Sequence, residues 1–442
     1  MRRKGIQSGT MLLREVRGAD RITDRGHHPA HPVMYRRHIL YSMRILLFHD
    51  FYQQPGGEDA MFLAERSLLR RNGHTVIEFV EDNDRIPSIH PLGLAVQTIW
   101  SRTAYDRVSR ILRDQQPDVA YGINTFPLIS PSVYYACRKY SVPVIQGLHN
   151  YRLLCPAASF FRAGRVCTDC LGKTPPWPGV WHHCFRNSTF PTIVVAVLLT
   201  LHRWMRTWSE KVNRYIAPTE FLRGKYLEGG FPADRIAVKP NFILQDPGVR
   251  EGTGEYALYV GRLSPEKGVR TLVDAWKHLK DIPLKIVGSG PLQMELHSIL
   301  STNHNTHVEM PGRVPREDIP ALMKNARFLV FPSICFESFG MSIVESYSCG
   351  VPVIASRLGA MAELVRDGRT GLLFAPGDTG DLTEKVQWAW NHPEEMAMMG
   401  LAARREYENK YTSEHNHRLH IQIFQHALES RTTGTNKQAA DA

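Results

Sequence analysis

Two carboxylates and two cations fall where a phosphorylated ligand would use them. In "PSICFESFGMSIVES", Glu337 stands in a loop after a strand, and Ser338, Phe339 and Gly340 lead into a helix. Glu345 lies inside that helix, with seven residues between the glutamates. A helix N-terminus offers unpaired N–H groups and a partial positive charge, so the backbone around Phe339, Gly340 and Met341 suits a phosphate. Glu345, about a turn further in, could accept hydrogen bonds from ribose hydroxyls, and Glu337 from those of a second sugar. A pair of glutamates alone would be weak evidence, because most such pairs are solvated helix faces. Their weight grows with "VGRLSPEKG" (Val260 to Gly268), which puts Gly261, Arg262 and Lys267 in one strand-to-helix turn. Both cations could reach a diphosphate there, through charge-assisted contacts worth about 1.5–3 kcal/mol each. "VGSGP" adds Gly288 and Gly290, which allow close backbone approach to a ligand, but Gln293 stands where the dinucleotide fingerprint needs a third glycine. "GRVPREDIP", with Val314, supplies a loop whose backbone could edge a nucleobase.

Positioning these residues requires alternating strands and helices. From Met43, "RILLFHD" is a continuous apolar strand, "EDAMFLAERSLLRRNGH" has helical spacing that ends at Gly73, and "TVIEFV", "VAYGIN" and "PVIQGLH" read as further strands with helices between them. The polar, glycine-rich stretch from Asn241 to Tyr256 suits a linker. After it the alternation restarts with "YALYVGRL" and runs to "PVIAS". The pattern predicts two doubly wound α/β domains, 43–243 and 256–412, joined by a linker at 244–255 and facing each other across a cleft at the carboxyl ends of their strands. A helix at 413–430 is expected to cross back to the first domain, and 431–442 reads as a tail.

The totals agree with two domains. The chain has 442 residues, 43% of them hydrophobic, enough to fill two cores. A net charge of +11 favours an acidic partner: nucleic acid, anionic lipid or a phosphorylated small molecule. Residues 1–42 are basic and lack the apolar core of a secretory signal, so they read as a disordered extension, with Met43 or Met34 as the natural start. The expected compartment is cytoplasmic and reducing, which argues against structural disulfides. No stretch reaches the roughly 18 apolar residues of a membrane span. "PTIVVAVLLTLHRWMRTW" (Pro191 to Trp208) comes nearest, and fits either a helix in a membrane interface or a buried helix with a polar end.

Together "VGRLSPEKG", "GSGP" and above all "FESFGMSIVE" resemble family 4 of the retaining glycosyltransferases, whose fold is GT-B, two facing Rossmann-like domains. The resemblance spans about Met43 to Leu428. It implies that Arg262 and Lys267 bind the donor diphosphate and stabilise it as it leaves. It also implies that Glu345 binds the nucleotide ribose, that Glu337 contacts the donor sugar, and that Phe339 to Met341 hold sugar and phosphate through the backbone. In the first domain, "PGGE" (Pro55 to Glu58) matches the family's glycine-rich loop, placing Gly56 and Gly57 near the diphosphate and acceptor, and His149 matches its active-site histidine. Transfer is expected to need no divalent ion and to retain configuration, moving a hexose-type sugar from a nucleotide-sugar donor to a growing, lipid-linked glycan of the cell surface. An anionic membrane surface is an expected partner, and nucleic acid is not.

Cys155, Cys167, Cys170 and Cys184 cluster within thirty residues, with Cys167 and Cys170 as C-x-x-C in a Gly/Pro-rich loop. A redox motif should sit at a helix start, so a structural zinc is expected here, with His182 or His183 able to replace one ligand, against the alternative of plain reduced thiols. Such inserts resemble those of a bacterial subgroup engaged in polysaccharide assembly. Two other classes remain open: a nucleotide-sugar binding protein or epimerase on the same fold, and a zinc-containing nucleic-acid binder, which leaves the second domain unexplained.

Overall fold

The apolar run that starts at Met43 becomes an interior strand of a parallel sheet. A computed structural model describes residues 42–54, 56–302 and 307–440, with side chains described up to 429 except that of 302. The basic extension apart from Ser42, and Pro55 of the glycine-rich loop, lie outside them.

The first sheet contains Arg44–Phe51 (β1), Thr75–Asp82 (β2), Val119–Asn124 (β3) and Val144–Gly147 (β4). A two-stranded hairpin, Phe161–Arg162 (β5) with Arg165–Val166 (β6), stands apart in the cysteine loop, and Arg214–Ala217 (β7) and Ile236–Val238 (β8) complete the sheet. Its order is β2-β1-β3-β4-β7-β8 with all neighbours parallel. The second sheet contains Tyr256–Val260 (β9), Leu284–Val287 (β10), Val308–Gly312 (β11), Ala326–Phe331 (β12), Val353–Ser356 (β13) and Gly371–Phe374 (β14). Their order, β11-β10-β9-β12-β13-β14, is that of a Rossmann sheet. β9 and β12 are parallel, but the order in which strands join the sheet changes direction between them. The loops that follow these two strands therefore flank the second domain's switch point, where ligands of open α/β sheets bind.

Burial explains the strand pattern. β3 and β4 are buried along their whole length because helices cover both faces, and they read as apolar runs instead of alternating ones. The helix Ser413–Ala440 packs Ile421, Phe424 and Ala427 into the core beneath β1, β3 and β4, so the chain's last helix belongs to the first domain's core. It continues past Ser430, where the sequence suggested a tail. A helix already nucleated upstream propagates at little cost per residue.

Candidate active site

A cavity of about 440 Å³ lies between the domains. The helix Gly57–Arg71 opens onto it from the first domain and the helix Met341–Ser348 from the second, each following a glycine N-cap. Gly56, Gly57 and His149 line one wall; Gly261, Arg262, Lys267, Glu337, Phe339, Gly340 and Met341 line the other. Two helix N-termini and two cations thus face one space, an arrangement that favours a multiply charged anion. Lys267 Nζ lies 2.7 Å from Glu337 Oε1, and Ser333 Oγ donates to the same oxygen at 2.6 Å. Burial lowers the Lys267 pKa, but Glu337, together with Cys335 and Glu266, raises it by more and the net shift is upward, so the ammonium stays charged.

Glu345 faces a second cavity, of about 650 Å³, which shares Met61 with the first. Arg316 Nη2 stands 3.8 Å from its Oε1. Burial raises the Glu345 pKa and Arg316 partly offsets this. Gly288, Gly290 and Val314 line neither cavity. The two glycines serve the protein's own backbone: a Cβ on Gly288 would stand 1.8 Å from the Gly261 oxygen, and one on Gly290 2.4 Å from that of Leu263. They let the turn carrying Arg262 lie flat on the end of β10 and do not themselves meet the cleft. Val314 packs against the apolar core below Phe339.

His149 follows the end of β4 in the cavity wall, partly buried. Burial pushes its pKa down against the opposing pull of Glu65 and Glu58, so the imidazole is neutral near pH 7. Its Nε2 is buried with no hydrogen-bond partner among the described residues, and lies against Gly147 at the end of β4, where a Cβ would stand 2.8 Å from it.

The comparisons agree with this geometry. Residues 62–244 match the model of Glycosyltransferase Family 4, and residues 243–406 that of Glycosyl transferases group 1. The D-rhamnosyltransferase WbpZ of Pseudomonas aeruginosa is 33% identical over 279 residues, 57% of this chain and 72% of that protein. The chain is a family 4 glycosyltransferase. An uncharacterised glycosyltransferase of Methanocaldococcus jannaschii is 36% identical over 181 residues, 41% of this chain; the match spans about half that relative's length, 51%. Among solved structures, Anabaena HepE in complex with UDP superimposes with a TM-score of 0.61 at 19% identity, over 88% of this chain and 99% of that one, a likeness of fold. The GT-B architecture and the family expected from the motifs are thereby established.

The glycosyltransferase also uses residues that no motif announced. Asp59 shapes the glycine-rich loop by accepting from Gly56 N at 2.8 Å, Tyr52 N at 3.3 Å and the buried His49 ring at 2.9 Å. Glu58 accepts from Asn150 Nδ2 at 2.7 Å and Tyr52 O–H at 3.0 Å, which ties the His-Asn pair to the same loop. The domains touch directly beside the cleft. Thr219 Oγ1 donates to the Ser338 oxygen at 3.1 Å, and the Glu363 carboxylate accepts from Glu220 N and Phe221 N at 2.9 and 2.8 Å. Glu363 lies inside the short helix Ala360–Leu364, and an acidic residue in a first helical turn is too common to announce an interdomain contact.

Cys155, Cys167, Cys170 and Cys184 line one small void with His182 and Arg162, all four as free thiols. Among the described residues no three His, Cys, Asp or Glu side chains are disposed to ligate a metal ion. Part of the loop's order comes from elsewhere: the Tyr151 and Phe160 rings meet at 4.7 Å, and Arg152 donates to the Pro156 oxygen at 2.5 Å while lying over Phe126 and Phe185. No described helix is long and apolar enough to cross a membrane.

Proposed function

We propose that this chain transfers a hexose-type sugar from a nucleotide-sugar donor to a growing, lipid-linked glycan of a cell-surface polysaccharide, with retention of configuration. The observation that carries the reading is the convergence of Arg262, Lys267, Glu337 and two helix N-termini on one cavity, with Glu345 on the next. The Pseudomonas relative, a D-rhamnosyltransferase, and the UDP held by the Anabaena neighbour suggest the chemical class.

In the reaction the bond from the anomeric carbon to the diphosphate breaks. The acceptor oxygen bonds to that carbon on the same face, and its proton passes to the departing phosphate oxygen. Arg262, Lys267 and the N-terminus of Met341–Ser348 stabilise the charge that grows on the diphosphate, a role that fixed dipoles and cations can fill without a metal. Glu345 receives the ribose hydroxyls, Glu337 the donor sugar, and His149 stands close to the transferred sugar. Donor turnover in EDTA, followed by NMR of the product anomer, tests this. Persistent turnover with the donor's own anomeric configuration is expected, and Glu345→Ala should abolish it. Full activity in that variant removes the site assignment, and an inverted product removes the same-face route.

The proposal includes a structural zinc at the four thiols, supported by their common void and the C-x-x-C spacing. Its ligand set would close on binding, as in sites where metal binding and folding are coupled. Metal analysis of purified protein and of Cys167→Ser decides it: about one zinc per chain, lost in the variant, is expected, and metal-free protein refutes it.

A further inference from the structure

The segment from Thr189 to Trp204 forms one helix that is apolar on both sides. Its buried face carries Thr192, Val195, Leu199 and His202. Its outer face carries Phe190, Ile193, Val197 and Trp204, exposed by 46, 41, 43 and 81%. At 100° per residue these four fall within an arc of about 60°, on the side opposite the core. A single exposed apolar residue needs no explanation, whereas a periodic stripe does.

The two helices packed against it extend the stripe. Pro91–Ile99 exposes Leu92 and Val96, one turn apart, and Trp177–Trp181 exposes both of its tryptophans. The charge of this face has one sign. Between Cys170 and Ser209 there is no Asp or Glu, while Lys173, Arg186, Arg203 and Arg206 are present, and Ile86 to Ser101 carries no charged side chain at all. Lys173 lies over the Trp177 ring at 5.0 Å, which sets an ammonium at the rim of the apolar surface. Arg203 is taken up by Thr174 and the Gly229 oxygen, and Arg206 by Glu210. Lys173 and Arg186 are exposed and have no carboxylate partner among the described residues, whereas the exposed Arg206 is balanced by Glu210.

We propose that this three-helix face docks the protein on an anionic bilayer. Tryptophans beside cations, around an apolar stripe, match the interface between acyl chains and anionic headgroups. A second copy of the chain fits less well, because a two-fold contact would bring these cations against their own copies with no carboxylate between them. The face also adjoins the cleft. A small void under it is lined by Thr98, Leu198 and Trp208 at one end and by His149 and Asn150 at the other. Under the lipid-linked acceptor of the proposed function, on which this last step rests, the face would hold the membrane next to the side of the cleft where the acceptor enters.

Co-sedimentation of the full chain with vesicles tests the docking apart from the chemistry. Vesicles of phosphatidylcholine with about one-third phosphatidylglycerol should bind it, and pure phosphatidylcholine should bind it at least tenfold less. The variant Trp177→Ser/Trp181→Ser/Trp204→Ser should lose at least tenfold in partitioning, with an unchanged melting curve and unchanged hydrolysis of the nucleotide sugar. Lys173→Glu/Arg186→Glu, which leaves the apolar stripe intact, should lose at least about fivefold per reversed charge. Equal binding by wild type and both variants, or no binding by the wild type, overturns the proposal. So does a wild-type dimer that the tryptophan variant converts to monomer, since a second copy is then the occupant. Normal vesicle binding without sugar transfer would refute the functional reading and leave the docking face standing.

Discussion

Lys239→Met should destabilise the first domain by an amount that can be worked out, and should reverse the sign of its pH dependence. Lys239 Nζ lies 2.9 Å from Glu65 Oε1 and 3.0 Å from Asn416 Oδ1, and neither charged side chain is more than 1% exposed. Burial acts to raise the Glu65 pKa, yet Lys239, with smaller help from His420 and His149, carries it from 4.5 down to about 2. A carboxyl with a depressed folded pKa adds stability above its unfolded value that is lost as pH falls through the folded one, here from 4.5 to about 2. Without Lys239 the carboxylate is buried and unpaired, so it takes up a proton. At pH 7 that costs about 3.4 kcal/mol, from 1.36 kcal/mol for each pH unit above 4.5, within the ~3–5 kcal/mol typical of a broken buried pair. For a unit of this size the melting temperature should drop by about 7–14 °C. The variant should then regain stability as pH is lowered from 7 to 4.5, a range in which this pair leaves the wild type flat. Glu65→Gln/Lys239→Met should recover most of the loss, because no charge remains buried. Calorimetry across that range reads all three proteins. A single variant that melts within 2 °C of wild type, or that keeps the wild-type slope between pH 4.5 and 7, would refute the reasoning.

Three further outcomes follow from the same structure. Lys267→Ala removes charge-assisted contacts worth about 1.5–3 kcal/mol to the departing diphosphate, so kcat should fall about 10- to 160-fold in steady-state donor turnover; an unchanged kcat would remove Lys267 from the chemistry. Burial lifts the Asp50 carboxyl from 3.8 to about 7, with the Leu128 N–H opposing and Glu81 adding. The stability it contributes is present below 3.8 and lost as pH rises through about 7, so Asp50→Asn should stabilise by about 2–4 kcal/mol at pH 8 and by little at pH 4, read as the difference in melting temperature at the two pH values. Glu363→Ala frees Glu220 N and Phe221 N across the cleft, which should raise the donor KM roughly tenfold and increase the radius of gyration in small-angle scattering; an unchanged scattering curve would show that the other interdomain contacts suffice.

The second domain was the more legible because its chemistry is local. Arg262 and Lys267 share one turn, and Glu337 to Met341 one loop, so spacing along the chain translates directly into a wall of the cavity. Gly288 and Gly290 were legible only as sites of close approach: a glycine does not name the approaching group, and the Gly261–Leu263 backbone is one that approaches them here. The first domain's contribution was hidden because it is assembled from distant residues. Glu65, Lys239 and Asn416 meet only because the last helix returns to the first sheet, and no local pattern marks a lysine as the partner of a glutamate so far away in sequence. The segment from Pro191 to Trp208 could be read as a core helix or an interfacial one, and the two faces of the helix Thr189–Trp204 show why both readings fitted the same residues.

The pairing of Lys267 with Glu337 bears on how the donor is engaged. The lysine is held by a carboxylate assigned to the sugar, and that carboxylate also accepts from Ser333. A diphosphate entering between the two helix N-termini brings two or more negative charges close to Lys267. The ammonium can then satisfy phosphate and carboxylate together, since it has three donors. Glu337 keeps Ser333 in either state, so it does not become an orphaned buried charge when the lysine turns toward phosphate. The pair thus keeps the cation charged and oriented before the donor arrives, which limits the reorganisation left for the transition state. Replacing Glu337 by Gln should separate the two functions. Donor-sugar contacts made by one oxygen can persist in the amide, but the ion pair that orients Lys267 cannot. kcat should therefore fall while nucleotide diphosphate, which lacks the sugar, binds within a few-fold of wild type by calorimetry. If diphosphate binding falls as far as kcat does, Glu337 acts on the whole donor and not through the orientation of Lys267.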